Sequence, residues 1–437
     1  MDFKIEFTNK EITPYGGLVL LKKMIDKSGL IEYLTTLPLP QPGSNRGYQP
    51  LNIIISFMLS VWCGANRFSH TEITRQDSAL KKIFGLTSIP SSTTITRFLK
   101  KFSFKQNNAI FTSIYTWFFS NLQFDNFTID FDSSVMTRYG HQQGATKGYN
   151  PHKRGRNAHH PLMAFVDDCN MVANFWLRPG NTGASSNFLN FLEDTLSKLQ
   201  GKKVGLLRAD SGFFSDDIFT YLEKTRINYI VAAKFHTPLK RAIANAKTWL
   251  YLAEGVEIAD GEFQCKDWTV LRRIIMVRQK KSIRTNATGK TITLFGEEID
   301  NGEYRYSCYF TNLDLPAATV WRNYRGRANA ENRIKELKYD FGFDNFNMNE
   351  FYATEAALNF AILAYNLMSL FKHAVVQGKH FNMMSTLRFK LFNISSTIIK
   401  KGNSKILKLS LDPKRRQWFL GLWDNSRKFQ MPVDFTQ

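Results

Sequence analysis

Three acidic residues, far apart in the chain, have the types and surroundings that metal-assisted chemistry requires. Asp132 ends the alternating segment NFTIDFD, Asp210 ends the apolar segment KVGLLRAD, and Glu331 lies within the cationic stretch YRGRANAENRIKELK. Three carboxylates brought together repel one another, and divalent cations placed between them remove that repulsion. Two Mg²⁺ ions bridged by carboxylates are suited to in-line displacement at phosphorus. We therefore take these acids as candidate catalytic and metal-binding residues, with two Mg²⁺ ions per site and Mn²⁺ as a substitute.

Other acids compete for the same roles. Asp130 lies two residues before Asp132 on the same strand face, whereas Asp168 and Asp216 fall at a turn and near a helix start. Acids are favoured in the first turn of a helix for electrostatic reasons, so the last two are weaker candidates. Asp132 is preferred to Asp130 because two serines follow it at the strand exit.

The stretch around Glu331 is predicted to be a helix with one special face. At 100° per residue, Tyr324, Arg327, Glu331 and Lys338 fall within an arc of about 60°. Lys335 lands there too, while Arg333 points the other way. One acid flanked by an aromatic ring and three cations suits a metal-binding carboxylate with phosphate clamps beside it. An ordinary i,i+4 salt bridge between Glu331 and Lys335 is the alternative.

The elements from Asn126 onward predict how Asp132 and Asp210 meet. NFTIDFD reads as a strand, PLMAFVDD and MVANFWLRPG as a hairpin, KVGLLRAD as a buried strand and NYIVAAKF as the next strand. Helices are expected at SNFLNFLEDTLSKL and near 216–224. Three antiparallel strands followed by βαβ crossovers is the order of a ribonuclease-H-like fold. In that order the first and fourth strands are neighbours, so the two aspartates emerge side by side.

The rest of the chain completes an α/β architecture. Residues 1–120 read as a helical DNA-binding domain, and the core occupies 121–234 and 317–372. A β-rich insertion is expected at 235–316, with strand patterns WTVLRRIIMVRQ, KTITLF and YRYSCYFTNL, and a basic region at 373–437. A helix near 71–84, a break at Gly85 and a second helix carrying Arg97 resemble a helix-turn-helix, although plain helical hairpins are common. An amphipathic helix is expected at 353–371.

Charge narrows the choice of partner. The formal net charge is +21 in 437 residues, which favours a nucleic acid partner over an anionic membrane surface. Residues 372–437 carry thirteen Lys and Arg against three acids, and 138–160 carry five Lys and Arg, four His and no acid. Both stretches are candidate electrostatic contacts for phosphates, but either one alone is equally well explained as a solvated basic face.

Compartment and cysteine chemistry are also constrained. The opening segment MDFKIEFTNKEITPYGG lacks an apolar core, so no secretory signal is expected, and the longest apolar run (53–65) is too short to span a bilayer. The four cysteines show no CxxC pair, which argues against a zinc site or a disulfide framework. We expect a cytoplasmic protein that has no membrane partner.

The spacing Tyr-x2-Arg-x3-Glu-x6-Lys at 324–338 resembles the signature of DDE transposases of the IS-four-like group. The words FDSSVMTRYG, KGYNPHKRGR, LRPGNTG, LRADSGFF and LAYNLMSLF are similar to its thirteen-eighty branch. The resemblance covers nearly the whole chain. It implies a bacterial, nucleoid-associated cut-and-paste transposase that cleaves at terminal inverted repeats and joins 3′-hydroxyls to target DNA. Asp132, Asp210 and Glu331 would be its metal triad.

The same resemblance gives the expected partners and contacts. Double-stranded DNA and a second copy of the chain, in a paired-end complex, are the implied partners. The expected DNA-contacting residues are Tyr324, Arg327, Lys335, Lys338, Arg138, Tyr139, Lys147, Lys153, Arg154, Arg156 and Arg97. Relatives hold a flipped base with a tryptophan of the insertion, and Trp249, Trp268 and Trp321 stay open as candidates. A ribonuclease-H-like nuclease or resolvase and a non-catalytic, domesticated DNA-binding protein are the rival functions.

Overall fold

The computed structural model describes residues 2–151, 153–281, 299–300, 303–378 and 383–436. The helices are α1 (Val19–Ser28), α2 (Leu30–Thr36), α3 (Pro50–Trp62), α4 (Thr71–Arg75), α5 (Ser78–Ile83), α6 (Ser92–Leu99), α7 (Phe104–Ser120), α8 (Phe188–Lys198), α9 (Asp216–Lys224), α10 (Thr237–Asn245), α11 (Ala317–Arg325), α12 (Ala328–Asp340), α13 (Phe351–Phe371), α14 (Met384–Leu387) and α15 (Pro413–Lys428). Of the helices in these ranges, none is both long and apolar enough to cross a membrane.

Most strands are short. They are β1 (Ile12–Thr13), β2 (Leu122–Gln123), β3 (Phe127–Ser133), β4 (Met136–Thr137), β5 (Thr146–Lys147), β6 (Asn157–His159), β7 (Leu162–Val166), β8 (Met171–Trp176), β9 (Val204–Ala209), β10 (Tyr229–Ala232), β11 (Leu250–Ala253), β12 (Val256–Phe263), β13 (Arg272–Lys280), β14 (Ile299–Asp300), β15 (Tyr304–Thr311), β16 (Ser396–Lys401), β17 (Ser404–Leu409) and β18 (Val433–Asp434).

The chain divides into two compact units, and the division falls within α12. Unit A comprises Met1–Leu122, Gly140–Gln143 and Lys335–Asp434, and unit B comprises Gln123–Tyr139, Gly144–Ile334 and Phe435–Gln437.

Unit A is built around α13. Trp62 at the end of α3 donates its indole N–H to the Ala364 carbonyl (3.1 Å), and Tyr115 of α7 donates to Asn359 (3.0 Å). The predicted helix at 353–371 is confirmed, but its expected amphipathic character is wrong. Helices α1, α3, α6 and α7 pack around it and bury almost every residue, and its Asn359 is satisfied by a tyrosine hydroxyl.

The proposed helix-turn-helix region contains an extra break. The predicted first helix near 71–84 is divided into α4 and α5, because Asp77 is extended and its carboxylate caps α5 by accepting from the Leu80 N–H (2.7 Å). The break at Gly85 is confirmed, with a φ of +67° that favours glycine. Helix α6 then begins after Ser91, whose hydroxyl accepts from the Thr94 N–H (3.3 Å).

Unit B contains a large mixed sheet. Among the described residues its strand order is β11-β12-β13-β15-β10-β9-β3-β7-β8, with β14 paired to β15. Strands β3, β9 and β10 run parallel, and β3, β7 and β8 form an antiparallel meander. The predicted adjacency of the first and fourth core strands is therefore confirmed. Helices α8 and α9 form the two crossovers, and α9 spans the predicted residues 216–224.

The position of strand β3 in the sheet follows from the alternation of apolar and polar residues along it. Phe131 packs edge-on against Phe188 and Phe191 of α8, with ring centroids 5.0 and 6.0 Å away. Successive side chains point to opposite faces of a strand, so Asp130 and Asp132 share the face away from these phenylalanines. One face of the strand is thereby fixed in the core, and the other carries the acids.

The β-rich segment extends the same sheet rather than forming a sheet of its own. Strands β13 and β15 lie within two of the predicted strand patterns, and β15 pairs antiparallel with β10. The third pattern, KTITLF at 290–295, lies outside the described residues. Helix α10 was not predicted. Helix α11 covers the sheet through Val320, Trp321 and Tyr324, which are buried against strands β10, β12, β13 and β15.

Candidate active site

Asp132 and Asp210 lie side by side because of the strand register. Phe131 of β3 and Ala209 of β9 are partners in a parallel pair, so the next residue on each strand is one of the two aspartates. The strand register therefore places Asp132 next to Asp210, as the order of elements predicted. The carboxyl ends of adjacent parallel strands are a common place for ligand-binding groups.

Each aspartate has one oxygen held by the backbone and one directed elsewhere. Asp132 Oδ1 accepts from the Ser133 N–H (2.8 Å), and Asp210 Oδ1 accepts from the Gly212 N–H (2.9 Å) at a short 3₁₀ turn. The Oδ2 atoms lie 3.2 and 3.7 Å from Nη2 of Arg327. This arrangement fixes the carboxylates before any ligand arrives.

Glu331 joins them through the same arginine. It lies in the first turn of α12, and its Oε1 atom is 3.7 Å from Nη1 of Arg327. All three candidate carboxylates therefore lie within 3.7 Å of one guanidinium group. Glu331 thus pairs with Arg327, four residues before it, whereas the alternative considered from the sequence was a pair with Lys335.

The electrostatics of this cluster are unbalanced. Three carboxylates face one guanidinium, and both Asp132 and Arg327 are almost fully buried. Burial, opposed by Arg327 and reinforced by Asp210 and Glu331, raises the pKa of Asp132 to about 7. Burial disfavours the charged form of Arg327, but the carboxylates, above all Asp132, outweigh it and raise the pKa of that guanidinium.

Arg327 also has donors to spare. Its Nε and Nη2 atoms are buried and form no hydrogen bond within the described part of the chain, although Nη2 is close to two carboxylates. A buried donor without a partner costs roughly 1–3 kcal/mol, so such groups call for an explanation. A ligand rich in oxygen acceptors would satisfy them.

The helix that carries Glu331 is not continuous with the one that carries Tyr324. The sequence predicted a single helical face, but α11 ends at Arg325 and α12 begins at Ala328. A Cβ on Gly326 would lie 2.4 Å from Nη1 of Arg208, so the close approach of that guanidinium requires glycine. The single-face prediction is therefore wrong in detail.

Tyr324 lies in the core instead of facing a DNA groove. Its side chain is fully buried, and its ring packs against that of Tyr309 in a tilted arrangement, with the ring centroids 4.3 Å apart. Burial raises the pKa of its hydroxyl, which has no hydrogen-bond partner in the described residues. Its packing fixes α11 on the sheet, so it positions the site rather than presenting a surface.

A second acid–arginine cluster lies next to the first on β3. Arg208 of β9 donates from Nε and Nη2 to both oxygens of Asp130 (2.6 and 2.8 Å), and its Nη2 reaches Asp167 at 2.8 Å. Its Nη1 donates to the Asn323 carbonyl of α11 (2.8 Å). Asp130 is thus neutralised inside the sheet, which removes it as a rival to Asp132.

Arg333 ties the start of α12 to the same cluster. Its Nη2 pairs with Asp167 Oδ1 and donates to Asn170 Oδ1 (2.7 Å), at the turn between β7 and β8. Its Nη1 lies 3.8 Å from Asp130. Since Glu331 is two residues earlier on the helix, this contact fixes where that carboxylate stands.

The other two rival acids have structural partners. Asp168 accepts from the Thr128 N–H (3.0 Å), and Asp216 pairs with Arg272 (2.5 Å). Neither is part of the Arg327 cluster.

His160 is a neighbour of the site that the sequence did not single out. Its Nε2 lies 3.2 Å from the hydroxyl of Ser133, and its Nδ1 lies 2.6 Å from the Thr182 carbonyl, which can only accept. Nδ1 therefore carries the proton. Burial lowers the pKa of this imidazole, which favours its neutral form. One histidine among four in a basic stretch carries no sequence signal of this role.

The basic loop of unit B presents cations around an exposed ring. Tyr139 is 69% exposed, Lys153 Nζ lies 4.8 Å from its ring centroid, and the Arg156 guanidinium carbon lies at 6.0 Å. Lys147 and Arg154 are exposed as well. The surface is open to a polyanion.

Arg138 is the exception among the expected contacts of this loop. It is buried, and its Nε donates to Nδ1 of His159 (3.0 Å) while Nη2 lies 3.4 Å from the Met136 sulfur. A guanidinium enclosed in this way supports the β4–β6 ribbon, so we remove it from the expected DNA contacts.

Three further expected contacts belong to unit A. Arg97 of α6 and Lys335 of α12 are exposed, whereas Lys338 is partly buried and lies 3.4 Å from Asp344 Oδ2.

The three candidate tryptophans differ in their surroundings. Trp321, a residue of α11, is buried in the core between that helix and the sheet. Trp268 packs on Phe214, with ring centroids 4.9 Å apart. Trp249 is partly exposed, donates to the Ala246 carbonyl (3.0 Å) and has Arg278 4.4 Å above its ring. Its surroundings are the least core-like of the three.

The donor set fits a hard divalent cation, because carboxylate oxygens are the ligands that Mg²⁺ and Mn²⁺ prefer. Within the described ranges, however, no group of three or more His, Cys, Asp or Glu side chains is arranged to hold a metal ion. Arg327, with its two unpartnered nitrogens, lies among the carboxylates instead.

The chain matches the family described as Transposase DDE domain group 1 over residues 2–425, and it belongs to that family. The expectation of a DDE transposase is confirmed at this level. No curated protein matches the chain. One similar solved structure is the cryo-EM synaptic complex of piggyBac transposase with hairpin DNA. The two chains are 10% identical, with a TM-score of 0.46, over 88% of this chain and 82% of the other.

Proposed function

We propose that this protein is the cut-and-paste transposase of a bacterial insertion sequence, of the IS-four-like group. It would cleave at the terminal inverted repeats of its element and join the freed 3′-hydroxyls to target DNA. The observation that carries the proposal is the approach of Asp132, Asp210 and Glu331 to within 3.7 Å of one guanidinium in unit B. Family membership supports the transposase activity itself.

A ribonuclease-H-like core is part of this proposal. The sheet order β10-β9-β3-β7-β8, with crossovers α8 and α9, supports it. Asp132, Asp210 and Glu331 would hold two Mg²⁺ ions, or Mn²⁺ in their place. When bound, such ions activate the attacking oxygen and stabilise the leaving 3′-oxygen.

The residues around the triad have separate tasks. The spare donors of Arg327 would bind a non-bridging oxygen of the scissile phosphate, since a guanidinium matches phosphate geometry. Ser133 and Gly212 hold one oxygen of each aspartate, so the other oxygens are oriented beforehand. His160, whose Nε2 lies 3.2 Å from the Ser133 hydroxyl, would keep the strand exit in place.

Duplex DNA would be held by surfaces outside the triad. Tyr139, Lys147, Lys153, Arg154 and Arg156 would follow the phosphates of the transposon end, and their exposure supports this role. Arg97, Lys335 and Lys338 are proposed as further contacts; Lys338 would have to exchange its partner Asp344 for phosphate. Two copies would act together in a paired-end complex.

The test is strand cleavage of the DNA that flanks the coding region. Purified protein should nick an end-containing duplex only with Mg²⁺ or Mn²⁺ present, and Asp210→Asn should abolish nicking while leaving duplex binding intact. Joining of the released 3′-end to a second duplex separates a transposase from a nuclease or resolvase. Because Arg327 lies among the carboxylates, a non-catalytic DNA-binding protein is the second candidate, and metal-independent binding without nicking would favour it.

A further inference from the structure

A basic hairpin in unit A has no part in the site described above. It consists of β16 and β17, and we call Ser396–Leu409 the basic hairpin. Lys400 and Lys401 near its tip, and Lys405 and Lys408 on the returning strand, are all exposed. None of these four side chains has an ion-pair partner within the described part of the chain.

The hairpin places two of these lysines in an unfavourable pair. Lys400 and Lys405 are direct cross-strand partners, so they share one face of the ribbon. Directly opposite side chains have Cβ atoms about 5 Å apart, and like charges in that position destabilise the sheet. The fold therefore maintains a repulsion that a neutral residue at either position would remove.

The helix that follows shows a second unfavourable arrangement. Strand β17 leads within a few residues to α15, whose first turn carries Lys414, Arg415 and Arg416, all exposed. The N-terminus of a helix is the positive end of its dipole, where cations are disfavoured and anions are bound. The hairpin and the helix start thus concentrate positive charge in two independent ways.

Nearby carboxylates are already engaged. Glu11, whose carbonyl accepts from the Ile398 N–H, pairs with Lys82. Asp412 caps α15 by accepting from the Lys414 N–H (2.8 Å), and Asp424 lies 3.8 Å from Arg427. Among the described residues these carboxylates are thus occupied, which leaves an anion from outside the chain to relieve the repulsion.

Edge protection is the alternative explanation, because lysines on an edge strand prevent strand addition by another molecule. It accounts for Lys405 and Lys408 on β17. It also accounts for Lys400, because among the described residues β1 pairs only with Ser396 and Thr397 of β16. It does not account for the three cations at the start of α15. Arg415 and Arg416 each donate to a backbone carbonyl, of Lys390 and Leu411 respectively, but neither contact neutralises their charge.

We propose that the basic hairpin, together with the first turn of α15, docks on the sugar–phosphate backbone of duplex DNA. This inference rests on the proposed function and adds a contact surface, separate from the triad, that is indifferent to sequence. A two-stranded ribbon and a helix start are both elements that proteins use against DNA.

The decisive variant is Lys400→Gln/Lys405→Gln, measured in EDTA on a labelled 30-base-pair duplex of arbitrary sequence. Affinity at 100 mM KCl should fall by about tenfold, and the slope of log K against log salt should decrease in magnitude by about 2. The unfolding midpoint should stay the same or rise, because the substitution removes the repulsion. A merely structural pair would show the opposite change in stability.

Two further variants complete the design. Lys400→Glu/Lys405→Glu keeps a like-charge pair but reverses its sign, so its loss of affinity should exceed that of the glutamine variant. Lys27→Gln/Lys224→Gln removes the same charge from exposed lysines in the last turns of α1 and α9, where the helix dipole favours them, and should leave affinity almost unchanged.

The outcomes separate this proposal from its rivals and from the proposed function. Unchanged affinity and salt slope in the glutamine variant would overturn it, and aggregation without loss of affinity would favour edge protection. Loss of binding only to anionic phospholipid vesicles or to single-stranded RNA would overturn it in favour of that ligand. If duplex binding depends on the hairpin but no metal-dependent nicking is found, the proposed function fails and this surface stands.

Discussion

Two acid–arginine clusters lie on the same face of β3, and they are built differently. The inner cluster has two acids, Asp130 and Asp167, against two arginines, and most of its donors make short hydrogen bonds. The outer cluster has three acids against Arg327, at distances of 3.2–3.7 Å, and two unpartnered nitrogens. Balanced charge with nearly complete hydrogen bonding, in which Nη1 of Arg333 alone lacks a hydrogen-bond partner among the described residues, is typical of a structural cluster. Excess negative charge with spare donors is typical of a site that awaits a ligand.

The clusters are also coupled through α12. Arg333 belongs to the inner cluster and Glu331 to the outer one, and only two residues separate them on the helix. The inner cluster therefore sets the geometry of the outer one.

The largest effect should come from the outer cluster. Glu331→Gln should reduce metal-dependent nicking by about 10³-fold or more, in the range found for loss of a group that stabilises transition-state charge. Folding stability should hardly change, because the mutation relieves repulsion among carboxylates. Nicking rates and thermal unfolding measure the two quantities.

Asp216→Asn is the matched control for Glu331→Gln. It also neutralises an acid paired with an arginine in unit B, but outside the cluster, and it should retain nicking. Equal losses of nicking in both variants would contradict the division between the two clusters.

A mutation in the inner cluster should change the free energy of unfolding. Asp130→Asn leaves Arg208 buried opposite a neutral group, which should lower the free energy of unfolding by about 3 kcal/mol. Denaturant unfolding measures this loss. A stable variant that has lost nicking would instead place Asp130 in the chemistry.

The positions of Asp132 and Asp210 could be predicted from the sequence because the patterns that identify their strands are local. Alternation in NFTIDFD and the apolar run in KVGLLRAD identify the strands, and the order of elements makes the strands neighbours. Glu331 was reached both through the face of its predicted helix and through the family resemblance.

The inner cluster could not be predicted from the sequence, because it depends on the pairing of residues far apart in the chain. Arg208 and Asp130 are 78 residues apart, and Arg333 and Asp167 are 166 apart. The periodicity of hydrophobic residues within a helix or strand does not indicate such pairs. The close approach of Arg208 to Gly326, at the break between α11 and α12, likewise joins residues far apart in the chain. Burial misled the prediction at Tyr324 and Arg138, whose types are common at DNA surfaces but whose side chains are enclosed.

Arg333→Gln tests the coupling between the clusters. It should lower the free energy of unfolding by about 1–3 kcal/mol and raise the half-saturating Mn²⁺ concentration for nicking severalfold, because Glu331 is less well positioned. The rate at saturating Mn²⁺ should largely recover, and Arg333→Lys should fall between wild type and Arg333→Gln.

Arg272→Gln is a suitable comparison for Arg333→Gln. Arg272 is equally buried in unit B and binds Asp216 and Glu223, away from the triad. The Arg272→Gln variant should have a lower free energy of unfolding and an unchanged half-saturating Mn²⁺ concentration for nicking. If both variants shift that requirement equally, general destabilisation explains the effect and Arg333 has no positioning role.

The clusters should also differ in the sign of their response to pH, which is measured without metal in EDTA. The pKa of Asp132 is raised from its ordinary value near 3.8 to about 7, mainly by burial. The folded state therefore keeps a proton that the unfolded state releases, and this stabilisation is present at low pH and lost as pH rises through about 7. Relative to Asp132→Asn, the wild-type free energy of unfolding should fall between pH 4 and 7, by on the order of 1 kcal/mol per pH unit.

Asp167 should behave in the opposite way. Burial alone would raise its pKa, but the charges of Arg333 and Arg208 outweigh burial and lower it. Its stabilisation is present above its ordinary pKa and is lost as pH falls, so wild type should lose its advantage over Asp167→Asn only in acid. Denaturant unfolding of the three proteins from pH 3 to 8 measures both slopes. Parallel curves for the two variants would mean that both clusters are charge-balanced, and the excess negative charge assigned to the outer one would have to be withdrawn.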